Sequence, residues 1–162
     1  MTDHSTVRTD AEPDEDLGSI TERANTGDGH AAWLLGDRCR EGNGVRYSPR
    51  LAFRWYAQSA LAGDRNGQNN LGACYEHGLG CRQSYARAVK WYRKGAEQGM
   101  PTAQSNLGHC YWRGHGVPAN KDEALRWFRL AAQGGAEGAA KMVERLGGSV
   151  PVGKDDGNPG QA

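Results

Sequence analysis

Leu71–Cys81 reads LGACYEHGLGC, and Ala86–Gly99 reads ARAVKWYRKGAEQG. In the first stretch Leu71 and Tyr75 stand four residues apart, on one helical face, before a G-x-G turn. In the second, Ala88, Trp91, Tyr92 and Ala96 share one face of a second helix. Thirty-six residues on, the pattern returns as LGHCYWRGHGV (Leu107–Val117) and DEALRWFRLAAQG (Asp122–Gly134). Thirty-six residues earlier it is LGDRCREGNGV (Leu35–Val45), with Ala52, Trp55, Tyr56 and Ala60 following. A fixed period of this size marks a repeat array of small helical units.

Three gapless copies result, 27–62, 63–98 and 99–134. The first helix of each is expected near 29–41, 65–77 and 101–113, and the second near 49–61, 85–97 and 121–133. Asp28 and Asp64 stand where an N-cap belongs, because a carboxylate can accept the orphan amide protons of a first turn. Pro101 takes the first helical position, where a missing N–H costs nothing. Ser48, Ser84 and Asn120 are N-cap residues for the second helices, and Asn120 with Glu123 resembles a capping box. Ala31, Gly67, Ala103 and Ala139 are small residues at one position, suited to close helix crossing. Segment 16–25 reads as a partial helix left from a preceding copy, and 136–146 as a lone capping helix. Atypical ends are expected of such an array. The acidic leader 1–15 and the Gly/Pro/Asp-rich tail 147–162 are expected to be disordered, being too poor in apolar residues to offset their ordering entropy.

L-G-x-x-Y followed by A-x-x-x-[YF] resembles the tetratricopeptide helix pair. The period of 36, the G-x-G-[VC] turn and A-x-x-W-[YF] narrow the resemblance to the Sel-one-like repeat (SLR) family, over about residues 27–146. Cys39 departs from the pattern, standing where later copies have Tyr75 and Tyr111. The resemblance implies an all-α, right-handed α/α superhelix of antiparallel helix pairs whose first helices line a concave face. It also implies an adaptor or scaffold without catalytic residues. Some relatives are secreted with one disulfide per repeat. Cys39, Cys74, Cys81 and Cys110 do not follow that pairing, which disfavours that branch.

By the same resemblance, the concave groove is lined by first-helix positions outside the core. These are Trp33, Asp37 and Arg40 in copy one, Asn69, Asn70 and Glu76 in copy two, and Ser105, Asn106, His109, Trp112 and Arg113 in copy three. They vary between copies while the core does not, and variation in a rigid frame is where specificity can reside. Trp33 and Trp112 have no counterparts in the other copies; each reads as a binding anchor or as a cover for the end of the stack. Asn70 and Asn106, one repeat apart, read as a grip on an extended peptide backbone or as structural amides. A carboxylate clamp is disfavoured, because Trp33, Asp37 and Thr102 stand where its basic partners would be.

Other chemistry is weaker. Cys74, His77 and Cys81, and His109, Cys110 and His115, have zinc-ligand types but no standard spacing, so no metal and no cofactor is expected. Arg54, Lys90 and Arg126, with Arg93 and Arg129, read as a solvated outer face rather than a nucleic-acid surface. The charge is uneven. Residues 1–17 hold six acids against one arginine, and 18–146 hold 18 Lys/Arg against 11 Asp/Glu. That body is too mildly basic to argue for nucleic acid. The start has no basic segment followed by an apolar one, so no signal peptide is read, and a mean hydropathy of -0.79 argues against a membrane span. No nucleophile elbow, P-loop or H-E-x-x-H appears. The sequence therefore points to a cytoplasmic, monomeric, non-catalytic module binding a protein or peptide. The alternatives are a single-target inhibitor of the immunity type and, more weakly, a hydrolase.

Overall fold

Asp16 opens the first helix by accepting the Gly18 amide on its carboxylate. The structure, a computed structural model, describes residues 16–150. The leader 1–15 and the tail from 151 onward lie outside the described residues. Helix α1 (Leu17–Asn25) is followed by three helix pairs: α2 (Gly29–Glu41) with α3 (Pro49–Leu61), α4 (Arg65–His77) with α5 (Tyr85–Glu97), and α6 (Pro101–Arg113) with α7 (Lys121–Gln133). Helix α8 (Ala139–Arg145) closes the stack. Each helix packs on its chain neighbours, which makes the array a solenoid of antiparallel pairs.

The caps set these limits. Asp28 and Asp64 each accept two first-turn amides, and Ser48, Ser84 and Asn120 start α3, α5 and α7. The Asn120–Glu123 pair does not close a reciprocal box. The Asn120 amide proton goes instead to the Tyr111 carbonyl at 2.9 Å, and Glu123 lies 3.6 Å from Arg126. The same loop bond recurs from Ser48 to Cys39 and from Ser84 to Tyr75, so it belongs to the repeat. Helix α8 begins three residues later than the sequence suggests. Ala136 stands where Asp28 and Asp64 cap their helices, and Gly138 takes a left-handed φ of 74° that no right-handed helix accommodates. Residues 147–150 pack on the cap: Val150 contacts its apolar cluster, and Arg129 donates to the Ser149 carbonyl at 3.0 Å.

The core is shared between repeats. Ala52 and Tyr56 of one pair meet Leu71 and Cys74 of the next, and Ala88 and Tyr92 meet Leu107 and Cys110. The Tyr56, Tyr92 and Phe128 rings lie against Gly36, Gly72 and Gly108, where a Cβ would come within 2.5, 2.6 and 3.0 Å of ring carbon. That contact explains the Leu-Gly pair in each first helix. Buried Gln68 and Gln104 donate to the Ala60 and Ala96 carbonyls near the end of the preceding helix, each a second donor to an acceptor that the Gly63 or Gly99 amide already meets, and so tie one repeat to the next.

Candidate functional site

Between the first two pairs the inner wall belongs to the first helices. Helix α2 touches α4 directly, while the second helices α3 and α5 make no comparably close approach. Side-chain bonds tie these first helices together: Asn70 Nδ2 donates to Asp37 Oδ1 at 3.3 Å, and Asn106 Nδ2 donates to Asn69 Oδ1 at 3.0 Å.

Between the first two pairs lies a concavity of about 410 Å³, lined by Trp33, Asp37, Arg40, Tyr56, Asn66, Asn70, Ala73, Cys74, Leu79 and Met100. Asp37 organises its polar side. Its Oδ1 accepts from the Tyr56 hydroxyl at 2.5 Å, from Arg40 at 3.2 and 3.3 Å, and from Asn70. Arg40 also donates to the Tyr56 oxygen at 3.0 Å and to Glu41 at 2.6 Å. Burial, reinforced by Asp37, pushes the Tyr56 hydroxyl well above its usual range, so it remains a donor. All these bonds fall on Oδ1. Asp37 Oδ2 accepts none of them, and the Asn66 side-chain amide makes no hydrogen bond among the described residues. The groove thus offers an unspent acceptor and an unspent amide beside the apolar surfaces of Trp33, Ala73, Leu79 and Met100.

Of the residues read from the sequence, Trp33, Asp37, Arg40 and Asn70 come together here; the others do not. The sequence places Asn69 on the open wall, but the structure buries it to 7% exposure, where it joins Asn70 and Asn106 in an amide chain. Its amide is spent on joining repeats. Glu76 receives the Tyr92 hydroxyl at 2.6 Å. Ser105 is half-buried outside the concavity. Trp112 is half-buried against the capping cluster of Phe128 and Val143, with the Arg113 and Arg145 guanidiniums 5.6 and 5.0 Å from its ring. That is the end-cover arrangement. His109 stands edge-on to Phe128, its Nδ1 buried and unbonded, and burial followed by Arg113 lowers its pKa. Sequence reasoning missed Tyr56, Asn66 and Met100. Tyr56 belongs to the core ladder, and only the tilt of its hydroxyl brings it to the groove.

The remaining candidates separate. Among the described residues no three His, Cys, Asp or Glu side chains group as a metal site. Burial pushes the Cys74 and Cys110 thiols up to about 12. Arg54, Lys90 and Arg126 are exposed on the second helices. Arg93 departs from that outer ladder, donating to the Tyr111 hydroxyl at 2.6 Å, and Arg129 turns to Ser149. Among the described residues no helix is long and apolar enough to cross a membrane.

Known proteins share this frame. A protective antigen of uropathogenic Escherichia coli with an SLR fold superposes with a TM-score of 0.76 at 35% identity, over 83% of this chain and 30% of its own. A Sel1 repeat protein from Oxalobacter formigenes gives 0.72 at 33% identity, over 82% of this chain and 56% of its own. The Helicobacter pylori cysteine-rich protein B shares the fold, with a TM-score of 0.61 at 20% identity, over 76% of this chain and 94% of its own. The chain thus spans about a third to a little over half of the first two. Comparison with curated proteins gives no match. Sel1 repeat proteins are generally protein-interaction scaffolds, and the repeat is typically a non-catalytic module. The Sel1 repeat family model matches residues 29–64, 66–100 and 101–135, one match for each helix pair, and the chain belongs to the Sel1 repeat family.

Proposed function

We propose that the chain is a non-catalytic adaptor that holds an extended segment of a partner protein in the concavity between its first two helix pairs. One observation carries this reading. Asp37 Oδ2 and the Asn66 amide are left unspent beside an apolar floor, in a wall otherwise fixed by internal hydrogen bonds. A peptide backbone alternates N–H and C=O groups and matches that pair: its N–H donates to Asp37 Oδ2 and its C=O accepts from Asn66 Nδ2. The wall is already ordered, so little rotamer entropy remains to be lost on binding.

Photo-crosslinking in the native host tests this. A benzophenone side chain at Asn66 should capture a partner that the same group at Lys90, on the outer helix, does not. Capture from Lys90 with none from Asn66 would overturn the reading.

A further inference from the structure

We propose a second interaction surface, adjoining the concavity at Leu79: the edge formed by the turns of the first two helix pairs, which fits an acidic, apolar-bearing segment of a partner protein. From Gly42 to Gly63 and from Gly78 to Ala96 the chain has no Asp or Glu. Within these stretches Arg46, Arg50, Arg82 and Arg87 stand exposed on the turns and the first turns of α3 and α5. The two turns meet: a Cβ on Gly80 would lie 2.2 Å from the Pro49 carbonyl oxygen and 3.0 Å from Arg50 Cα. Arg82 and Arg50 therefore belong to one surface. Arg46, Arg50 and Arg82 have no carboxylate partner among the described residues. The flanking carboxylates of Glu41 and Glu76 are engaged, by Arg40 and by the Tyr92 hydroxyl.

Folding does not account for this charge. A cation in the first turn opposes the helix dipole, and α3 and α5 have no acid there to balance it. The third pair follows the ordinary rule, with Asp122 and Glu123 in the first turn of α7. The basic edge thus belongs to the first two pairs rather than to the repeat.

The same edge exposes large apolar side chains: Tyr47 at 63%, Leu51 at 44% and Leu79 at 43%. Beside them a notch of about 310 Å³ is lined by Arg82, Gln83, Ser84 and Arg87. Arg87 is held over the Tyr75 ring at 5.5 Å, which orders its guanidinium. The ordered Arg87 guanidinium, with Arg82 on the same notch, suits a carboxylate side chain, which a guanidinium can grip bidentately. Of the three exposed apolar side chains only Tyr47 gives a nucleobase a ring to stack on, while Leu51 and Leu79 suit aliphatic or aromatic side chains of a protein segment, and a notch gives a bilayer less contact than a flat face would. The chain's own residues 1–15 are acidic but hold only Met1 and Val7 as large apolar residues, so they do not match the apolar half of the edge.

The test uses the full chain and a fluorescent synthetic peptide of alternating acidic and Leu/Phe residues, followed by anisotropy at low salt. Saturable binding is expected, weakened by about tenfold in Arg46→Glu/Arg82→Glu and by about threefold in Tyr47→Ala, with circular dichroism unchanged. Loss of binding to the charge variant but not to Tyr47→Ala would reduce the surface to plain charge attraction and overturn the proposal. Tighter binding of phosphatidylserine vesicles or of a 20-nucleotide RNA would overturn it in favour of those partners. Binding that appears only after deletion of residues 1–15 would assign the edge to the chain's own leader and overturn it as well.

Discussion

Replacing Gly72 by alanine tests how the repeat is built. In an ordinary helix interior this change stabilises by about 0.5–1 kcal/mol, because glycine loses more backbone entropy on folding. Here the new methyl would lie 2.6 and 2.7 Å from two carbons of the Tyr92 ring. Carbon atoms rest at about 3.5 Å or more, so the ring must retreat by roughly 0.8 Å. Tyr92 is 1% exposed, and its hydroxyl is fixed on Glu76 at 2.6 Å. Overpacking costs about 1–3 kcal/mol, and a strained or lost bond from a buried hydroxyl costs about 1–3 kcal/mol more. Against the helix gain, a net loss of about 1–5 kcal/mol is expected, read as a lower urea midpoint at unchanged slope. Gly36→Ala should lose as much, its methyl meeting Tyr56 at 2.5 Å, and Gly108→Ala less, since Phe128 stands at 3.0 Å and has no hydroxyl bond to break. In a Tyr92→Leu background Gly72→Ala should lose most of its cost. A neutral or stabilising Gly72→Ala, or an equal loss with Tyr92 absent, would show that the Tyr92 ring is not what keeps position 72 a glycine.

His109 gives a pH prediction. Its pKa is held below the ordinary 6.5, first by burial and then by Arg113, so the unfolded chain binds the proton more readily. This contribution is fully present above pH 6.5 and is lost as pH falls through the folded-state value. Urea midpoints at pH 7.5 and 5.0 should therefore lie closer together in His109→Leu than in the unaltered chain; an equal separation would show that His109 does not contribute. The thiols give another. With Cys74 and Cys110 pushed up to about 12 by burial, on the order of one in ten thousand is ionised at pH 8. Native protein treated with a thiol reagent should label the half-buried Cys81 first, and Cys74 and Cys110 only in denaturant. Peptide mass spectrometry showing all three labelled alike in the native state would contradict the buried positions.

The helix limits were legible because the signals that fix them are local. A carboxylate or hydroxyl at an N-cap, a proline at N1 and a left-handed glycine at the C-cap act within one turn of the residue that bears them. The aromatic ladder was legible because a repeated interface must reuse the same residues. The groove was harder to read. Asn69 and Asn70 are adjacent in sequence, yet one is sealed between repeats and the other reaches Asp37, a difference set by helix rotation and not by composition. Tyr56 and Asn66 entered the site from positions that serve core and helix start, so no local pattern marked them. Trp112 has no counterpart in the other copies, and its ring lies where the third pair meets α8, against Phe128 and Val143 with Arg145 over it, a contact between elements that no local pattern marks.

We propose above that the concavity between the first two helix pairs binds a partner segment. Calorimetric titration of the protein captured by the Asn66 crosslink, once purified, into the unaltered chain, Asn66→Ala and Asp37→Asn tests this. Asn66 makes no side-chain bond among the described residues, so its truncation should leave the urea midpoint unchanged. Both variants should weaken binding by about tenfold, the worth of one buried hydrogen bond in an interface. Unchanged affinity in both, with the fold intact, would contradict the claim.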